Sequence, residues 1–554
     1  MLRLWLVLLV ALTITTPAPW LFAQDAAKSQ EPASNAQPQP TQPAKVTCTV
    51  KATVLSVPLS EALRLYRTGK FDESAAAYNA IISTGGPDAV LAYAGLTRVY
   101  LKQEKTNDAF AAASKAVALT PDKTPAIAAL GEVYFRQGKL KEAELAFLNP
   151  LRACDIDARS YLGLSKIYRA TSNYKRARDF ITQAYKLDPA DPDIERPYMT
   201  VLTRSERLNF LRDYLSRETD DDAERRKDLE HELAVLADES GQSGHTCHVA
   251  SKIASTQTSM EVLRNDPVHI RGYGLNVKVN GASAKLLLDT GAGGIVIDKK
   301  IAERAGVKKI VETEARGIGD KAAASGYLAF ADSIQIGDLQ FEGCDVDVVN
   351  RNSVLDDDGL IGADVFHNYL VDIDFPADKF RLTPLPPYPD EAPAEASLGS
   401  ESAAAPRVHD RYTAPEMKDY TQIFRFGHTL LIPTHVNDSA PMLFLIDTGG
   451  FDNAITPEAA KQVTKISRDE YSQVKGLNGE VKNIYRADKA NLTFAHFKQD
   501  RQDLMTFSLD HISNSIGTEV SGMLGFRMLF QLDIKIDYRD GLVNFTYAPL
   551  GSKH

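Results

Sequence analysis

From about residue 55 to residue 193 the apolar positions of the chain recur with helical spacing, and the pattern itself repeats about every 34 residues. Tyr100, Tyr134 and Tyr168 fall at equivalent places in the first helix of three successive units, and Ala109, Ala143 and Ala177 each open a second helix nine residues later. Turns separate the two helices, with Gly138 in the middle unit, and Pro121 and Pro189 close two of the units. A looser copy runs from Gly69-Lys70-Phe71 to Tyr78, and charged helical sequence continues over 205–240 as a cap on the stack.

Beyond about residue 265 the period changes from helical to alternating. Leu275-Asn276-Val277-Lys278-Val279 followed by Asn280-Gly281 predicts a strand running into a tight hairpin. The β-rich pattern then occurs twice. Strands ending Leu287-Leu288-Asp289-Thr290-Gly291 and Leu445-Ile446-Asp447-Thr448-Gly449 are preceded by turns at Val279-Asn280-Gly281 and Val436-Asn437-Asp438. They are followed at nearly equal intervals by Gly359-Leu360-Ile361-Gly362 and Gly522-Met523-Leu524-Gly525, then by Ile373-Asp374-Phe375 and Ile536-Asp537-Tyr538. This is an internal duplication.

Two resemblances follow from these residues. The tyrosine, alanine and proline positions resemble tetratricopeptide repeats, in which small alanines let paired helices approach and a proline ends each unit. An apolar strand, Asp-Thr-Gly and a later apolar-apolar-Gly resemble one lobe of a retropepsin-like aspartic protease. Two such lobes in tandem look like a single-chain version of that dimer, similar in logic to the bilobal pepsins. The implied fold is multidomain: an N-terminal all-α helical repeat solenoid followed by an all-β bilobal aspartic-protease-like domain.

The predicted organisation is a signal peptide over 1–23, a flexible Pro/Gln/Ala-rich linker over 24–52, and repeats over 53–240. A linker over 241–265, a first lobe over 266–385, a linker over 386–418 and a second lobe over 419–548 complete it. The signal reading rests on Arg3, the short apolar run Leu4–Leu12 and the small-residue exit at Ala23-Gln24. That run is too short to cross a bilayer, which takes about 20 residues, so no stable membrane span is expected after cleavage. The expected location is outside the cytoplasm, periplasmic or secreted.

Composition narrows the partners. Hydrophobic residues make up 44% of the 554 and charged residues 25%, and the net charge is -10, which leaves no electrostatic footprint for nucleic acid. Helical repeats imply contact with a protein partner without naming it. Export permits disulfides among Cys48, Cys154, Cys247 and Cys344, but their wide spacing leaves the pairing open. His245-Thr246-Cys247-His248 lacks a second ligand pair at zinc-like spacing and reads as polar linker.

The chemistry implied by the resemblance is peptide-bond hydrolysis by Asp289 and Asp447. Two carboxyl groups about 3 Å apart cannot both ionise, so they share one proton and supply a general base and a general acid together. The substrate is then a polypeptide, with no cofactor and no metal. Gly291 and Gly449 let the backbone turn tightly, and Thr290 and Thr448 match the family's cross-bonding threonines. Gly317-Ile318-Gly319 and Gly476-Leu477-Asn478 sit where the family has its substrate-covering flap, and read equally as plain hairpin turns. Ala292 and Gly450 depart from the Ser or Thr that many acid-acting relatives carry there. Without a hydroxyl on the ionised pair, catalysis is expected at less acidic pH than in pepsin. Two alternatives stay open: a non-catalytic scaffold that holds peptides in a degenerate groove, and pairing of each lobe with its counterpart in a second chain.

Overall fold

Four helix pairs open the fold. Val57–Arg67 pairs with Phe71–Thr84, Ala89–Lys102 with Thr106–Leu119, Thr124–Arg136 with Leu140–Arg152, and Ala158–Ala170 with Tyr174–Leu187. In this computed structural model the described residues are 55–153, 157–216, 223–237, 247–264, 270–315, 324–349, 358–389, 409–476 and 479–547. Each pair turns through one left-handed residue: Gly69, Glu104, Gly138 and Ser172 all have φ between 57° and 76°. Close approach of the helices depends on small residues. Ala109 and Ala143 are fully buried, and a Cβ on Gly163 would lie 2.3 Å from the Phe147 ring. The helices Arg204–Ser216 and Ala223–Ala237 extend the stack through a cluster of Met199, Leu211, Tyr214 and Leu229.

The same local sheet arrangement is built twice. The Asp289 strand, Ala282–Asp289, lies between Ile270–Val279, antiparallel, and Gly359–Gly362, parallel. The Asp447 strand, Met442–Asp447, lies between Thr429–Val436, antiparallel, and Gly522–Gly525, parallel. A six-stranded sheet joins the two lobes. Its central pair, Tyr369–Asp374 and Leu532–Asp537, sets Ile373 opposite Ile534 and Val371 opposite Ile536. One apolar core runs through both lobes and includes Phe375 and Tyr538, the aromatic residues that close the two matched motifs.

Two stretches expected as linkers contain structure. Within 241–265 lie the strands His248–Val249, Thr256–Ser259 and Glu261–Arg264, and Cys247 forms a disulfide with Cys344. Thr256–Ser259 edges the interlobe sheet, where ladder bonds hold a strand too polar to announce itself by apolar alternation. Part of 386–418 is likewise docked. The His409 carbonyl accepts from Tyr174 N and Lys175 N at 3.0 and 3.2 Å, and Arg411 Nε donates to the Asp540 carbonyl at 2.7 Å. These are backbone and charge contacts, invisible to a search for hydrophobic periodicity. Cys48 and Cys154 lie outside the described residues.

The repeats are seated directly on the second lobe. Phe135, Leu140, Phe147 and Ile167 pack with Leu443, Leu445, Val520 and Met523, and Glu519 N donates to the Arg136 carbonyl at 2.8 Å. Gly138 serves both as a turn and as a contact, since a Cβ there would sit 3.2 Å from Leu443 Cδ1. Inside the solenoid, Arg159 bridges Asp191 at 2.8 Å and Asp193 at 2.9 Å. Among the described residues no helix is long and apolar enough to cross a membrane.

Candidate active site

Each acidic loop is positioned by the short glycine-ended strand beside it. Gly362 is in register with Asp289 and Gly525 with Asp447, so each aspartate ends its strand against a residue without a side chain. The chain then turns sharply. Gly291 N donates to Asp289 Oδ1 at 2.8 Å, while Gly449 N and Gly450 N donate to Asp447 Oδ1 at 2.9 and 2.8 Å.

The threonines lock the loops to one another. Thr290 Oγ1 donates to the Ile446 carbonyl and Thr448 Oγ1 to the Leu288 carbonyl, both at 2.9 Å. Each hydroxyl also accepts the other threonine's N–H, from Thr448 and Thr290 respectively, at 3.0 Å. All four bonds are buried, where an unmet partner is costly. The lattice leaves the two loops face to face. A Cβ on Gly449 would lie 2.3 Å from Asp289 Cγ, and one on Gly291 would lie 2.7 Å from Asp447 Cγ, so each carboxyl rests over the opposite loop's glycine.

The carboxyl groups of Asp289 and Asp447 are close enough for each to shift the other's titration. Burial pushes Asp447 well above the usual carboxylate range, the Asp289 charge pushes it further, and the N–H groups of Gly450 and Gly449 oppose both. Asp289 is also raised by burial, but the N–H groups of Gly291 and Ala292, the neighbouring Asp447 carboxyl and the charge of His428 hold it down. The pair therefore binds one proton, which belongs to both carboxyls together.

Of the candidate flap residues, Gly317, Ile318 and Gly319 lie outside the described residues, bracketed by Lys308–Ala315 and Ala324–Ile336, whose last pair is Ala315 with Ala324. Gly476 pairs with Gly479 in a two-stranded hairpin, and Leu477 and Asn478 between them are also outside the described residues. The structure adds residues that the sequence reading missed. Asp364 Oδ1 accepts from Gly294 N at 3.1 Å in the first lobe, and Asn453 Oδ1 accepts from Gly525 N at 2.8 Å in the second. They brace the two loops from different places in the duplicated pattern, so aligning the halves gives no signal for either. His428, from a turn of the second lobe, stands over Gly293 of the first, where a Cβ would lie 2.7 Å from its Nδ1.

Residues 275–365 match the model of a family described as aspartyl protease, and residues 59–124 and 128–192 match that of the tetratricopeptide repeat. The chain joins tetratricopeptide repeats to an aspartyl-protease-like fold. The aspartyl protease match falls within the first lobe, and the second reproduces its strand order. Among solved structures, an aspartic proteinase from Irpex lacteus is similar over 54% of this chain and 99% of its own, at 12% identity and a TM-score of 0.34. A thermophilic TPR protein of Thermus thermophilus is similar over 32% of this chain and 96% of its own, at 22% identity and a TM-score of 0.26. The UBA domain-containing protein Mud1 of Schizosaccharomyces pombe is 28% identical over 134 residues, 23% of this chain. The match spans 39% of that protein's length.

Proposed function

We propose that this protein is an exported aspartic endopeptidase, periplasmic or secreted, in which Asp289 and Asp447 hydrolyse peptide bonds of an extended polypeptide and the repeats dock protein. The observation that carries the reading is the reciprocal threonine lattice, which sets two Asp-Thr-Gly loops of one chain face to face, each carboxyl over the opposite loop's glycine. The ionised carboxyl of the pair takes a proton from the attacking water. The protonated one gives its proton to the carbonyl oxygen as the tetrahedral centre forms. Collapse of that centre expels the amine, which leaves with a proton returned from the pair. The Cys247–Cys344 disulfide supports an oxidising compartment.

The test is cleavage of an unfolded protein substrate by the intact chain and by Asp289→Asn and Asp447→Asn. Loss of the acid–base pair is expected to cost ~10²–10⁴-fold or more in rate. Unchanged cleavage by both variants removes the dyad, and peptide binding without cleavage in the unsubstituted chain makes it a scaffold instead.

A further inference from the structure

On the face of the first sheet that bears Asp289, strand register lays out a row of side chains leading away from the dyad. Leu287 is two residues before Asp289 and shares its face. Leu287 pairs with Leu360, Leu360 with Val296, and Val296 with Asp347. Their strand neighbours Leu286, Ile361, Ile297 and Val348 point the other way, into the main core. Leu287, Leu360 and Val296 instead form a separate small cluster with Leu263, Val349 and Ala292, the residue that follows Asp289-Thr290-Gly291.

Two glycines make this strip possible. Leu263 comes from the Glu261–Arg264 strand and is paired with Gly272 of the neighbouring strand. A Cβ on Gly274 would lie 3.2 Å from Leu263 Cδ2, and one on Gly272 would lie 2.8 Å from Leu287 Cδ1. With side chains there, Leu263 would be held away from Leu287. The result is an apolar strip that starts beside Asp289 and ends at a carboxylate.

Asp347 is half-buried at that end, and a Cβ on Gly294, in the loop that follows the acidic triplet, would sit 3.6 Å from its Oδ2. Among the described residues no cation and no N–H donor is paired with it, and burial alone pushes its carboxyl up to about 6. A carboxylate left partly desolvated and unmatched costs stability unless a ligand meets it.

We propose that Asp347 is a specificity-determining residue: it receives the lysine or arginine side chain of an extended peptide whose adjacent aliphatic side chain lies against half-buried Val296 and Ala292, the open edge of the strip. The span fits. Asp347 is three strand steps from Leu287, and Asp289 is two residues further along that strand, so roughly 16 Å separates the two acids, which about two residues of extended chain, a four-carbon lysine stem and the hydrogen bond at its end cover. A charge-assisted hydrogen bond in this nook then selects the cation over an isosteric apolar side chain.

The inference rests on the peptidase reading for its substrate class, but binding tests it separately from catalysis. Uncleavable peptides with a reduced amide at the central bond, differing only in lysine or norleucine two residues from it, are titrated against the intact chain by fluorescence anisotropy. The lysine peptide is expected to bind about tenfold tighter or better. Asp347→Asn should abolish that difference, and Asp347→Arg should reverse it toward a glutamate peptide. Equal affinity of the unsubstituted chain for the lysine and norleucine peptides overturns the proposal, as does a lysine preference that persists in Asp347→Asn. Neither result bears on whether the dyad cleaves, which the aspartate variants decide.

Discussion

Gly449 and Gly291 offer a graded test of how far the two carboxyls depend on their placement. A methyl group at residue 449 would lie 2.3 Å from Asp289 Cγ and Oδ2, whereas one at 291 would lie 2.7 Å from Asp447 Cγ. Ordinary contact begins near 3.4 Å, so Asp289 must withdraw by about 1.1 Å and Asp447 by about 0.7 Å. Neither loop can back away as a whole, because the threonine lattice pins both. The carboxyl itself has to swing off its bond from Gly291 N. Misplacing a reacting group by about 1 Å costs on the order of 10²-fold in rate. Gly449→Ala is therefore expected to lose about 100-fold in kcat, and Gly291→Ala nearer tenfold. Neither glycine has a left-handed φ, so the stability cost comes from the contact alone, about 1–3 kcal/mol and larger for Gly449→Ala. Initial rates on an unfolded substrate, with thermal melts in parallel, make the comparison. Full activity in Gly449→Ala, or a larger loss in Gly291→Ala, would refute the reasoning.

Thr290→Val leaves the Ile446 carbonyl and Thr448 N–H buried without partners and is expected to cost about 2–5 kcal/mol in urea unfolding, with Thr290→Ser retaining most of it. Ala292→Ser adds a hydroxyl beside the ionised pair, and the acid limb of the pH–rate profile should move to lower pH. Burial, and then the neighbouring Asp540 charge, push Asp537 up to about 7, and burial and Asp372 push Asp533 up to about 6. Between about pH 4 and these values the native chain binds more protons than the unfolded one, so stability is full at the acid end and is lost as pH rises. The Tm should accordingly fall from pH 5 to pH 8, and Asp537→Asn should flatten that slope. Reducing Cys247–Cys344, which closes 97 residues, is expected to cost about 4–5 kcal/mol, read as a drop in Tm with reductant.

The repeat solenoid and the two lobes were legible because each advertises itself more than once. Tyr100, Tyr134 and Tyr168 fix a period, and two Asp-Thr-Gly strands with matching downstream glycines fix a duplication. Position within those repeats also pointed to Thr290 and Thr448, whose bonds depend on the loops meeting. What escaped notice has no counterpart in the other copy. Asp364 and Asn453 do similar work from unrelated positions, and His428 reaches Gly293 only because the lobes face each other. The strand Thr256–Ser259 is polar throughout and owes its conformation to the sheet edge it pairs with. Docking of the repeats on the second lobe rests on Leu443, Leu445 and Met523, which read in sequence as ordinary strand residues.

The pairing of Tyr369–Asp374 with Leu532–Asp537 inside a single polypeptide has a kinetic consequence. Bringing the acidic loops together is a unimolecular event, governed by the tether between the lobes and not by how many copies are in solution. Dilution should leave the assembled fraction untouched, unlike an arrangement that needs a second molecule. It also frees the two halves to diverge, since a change in one is not forced on the other, and Ala292 against Gly450 shows that drift at the edge of the reacting centre.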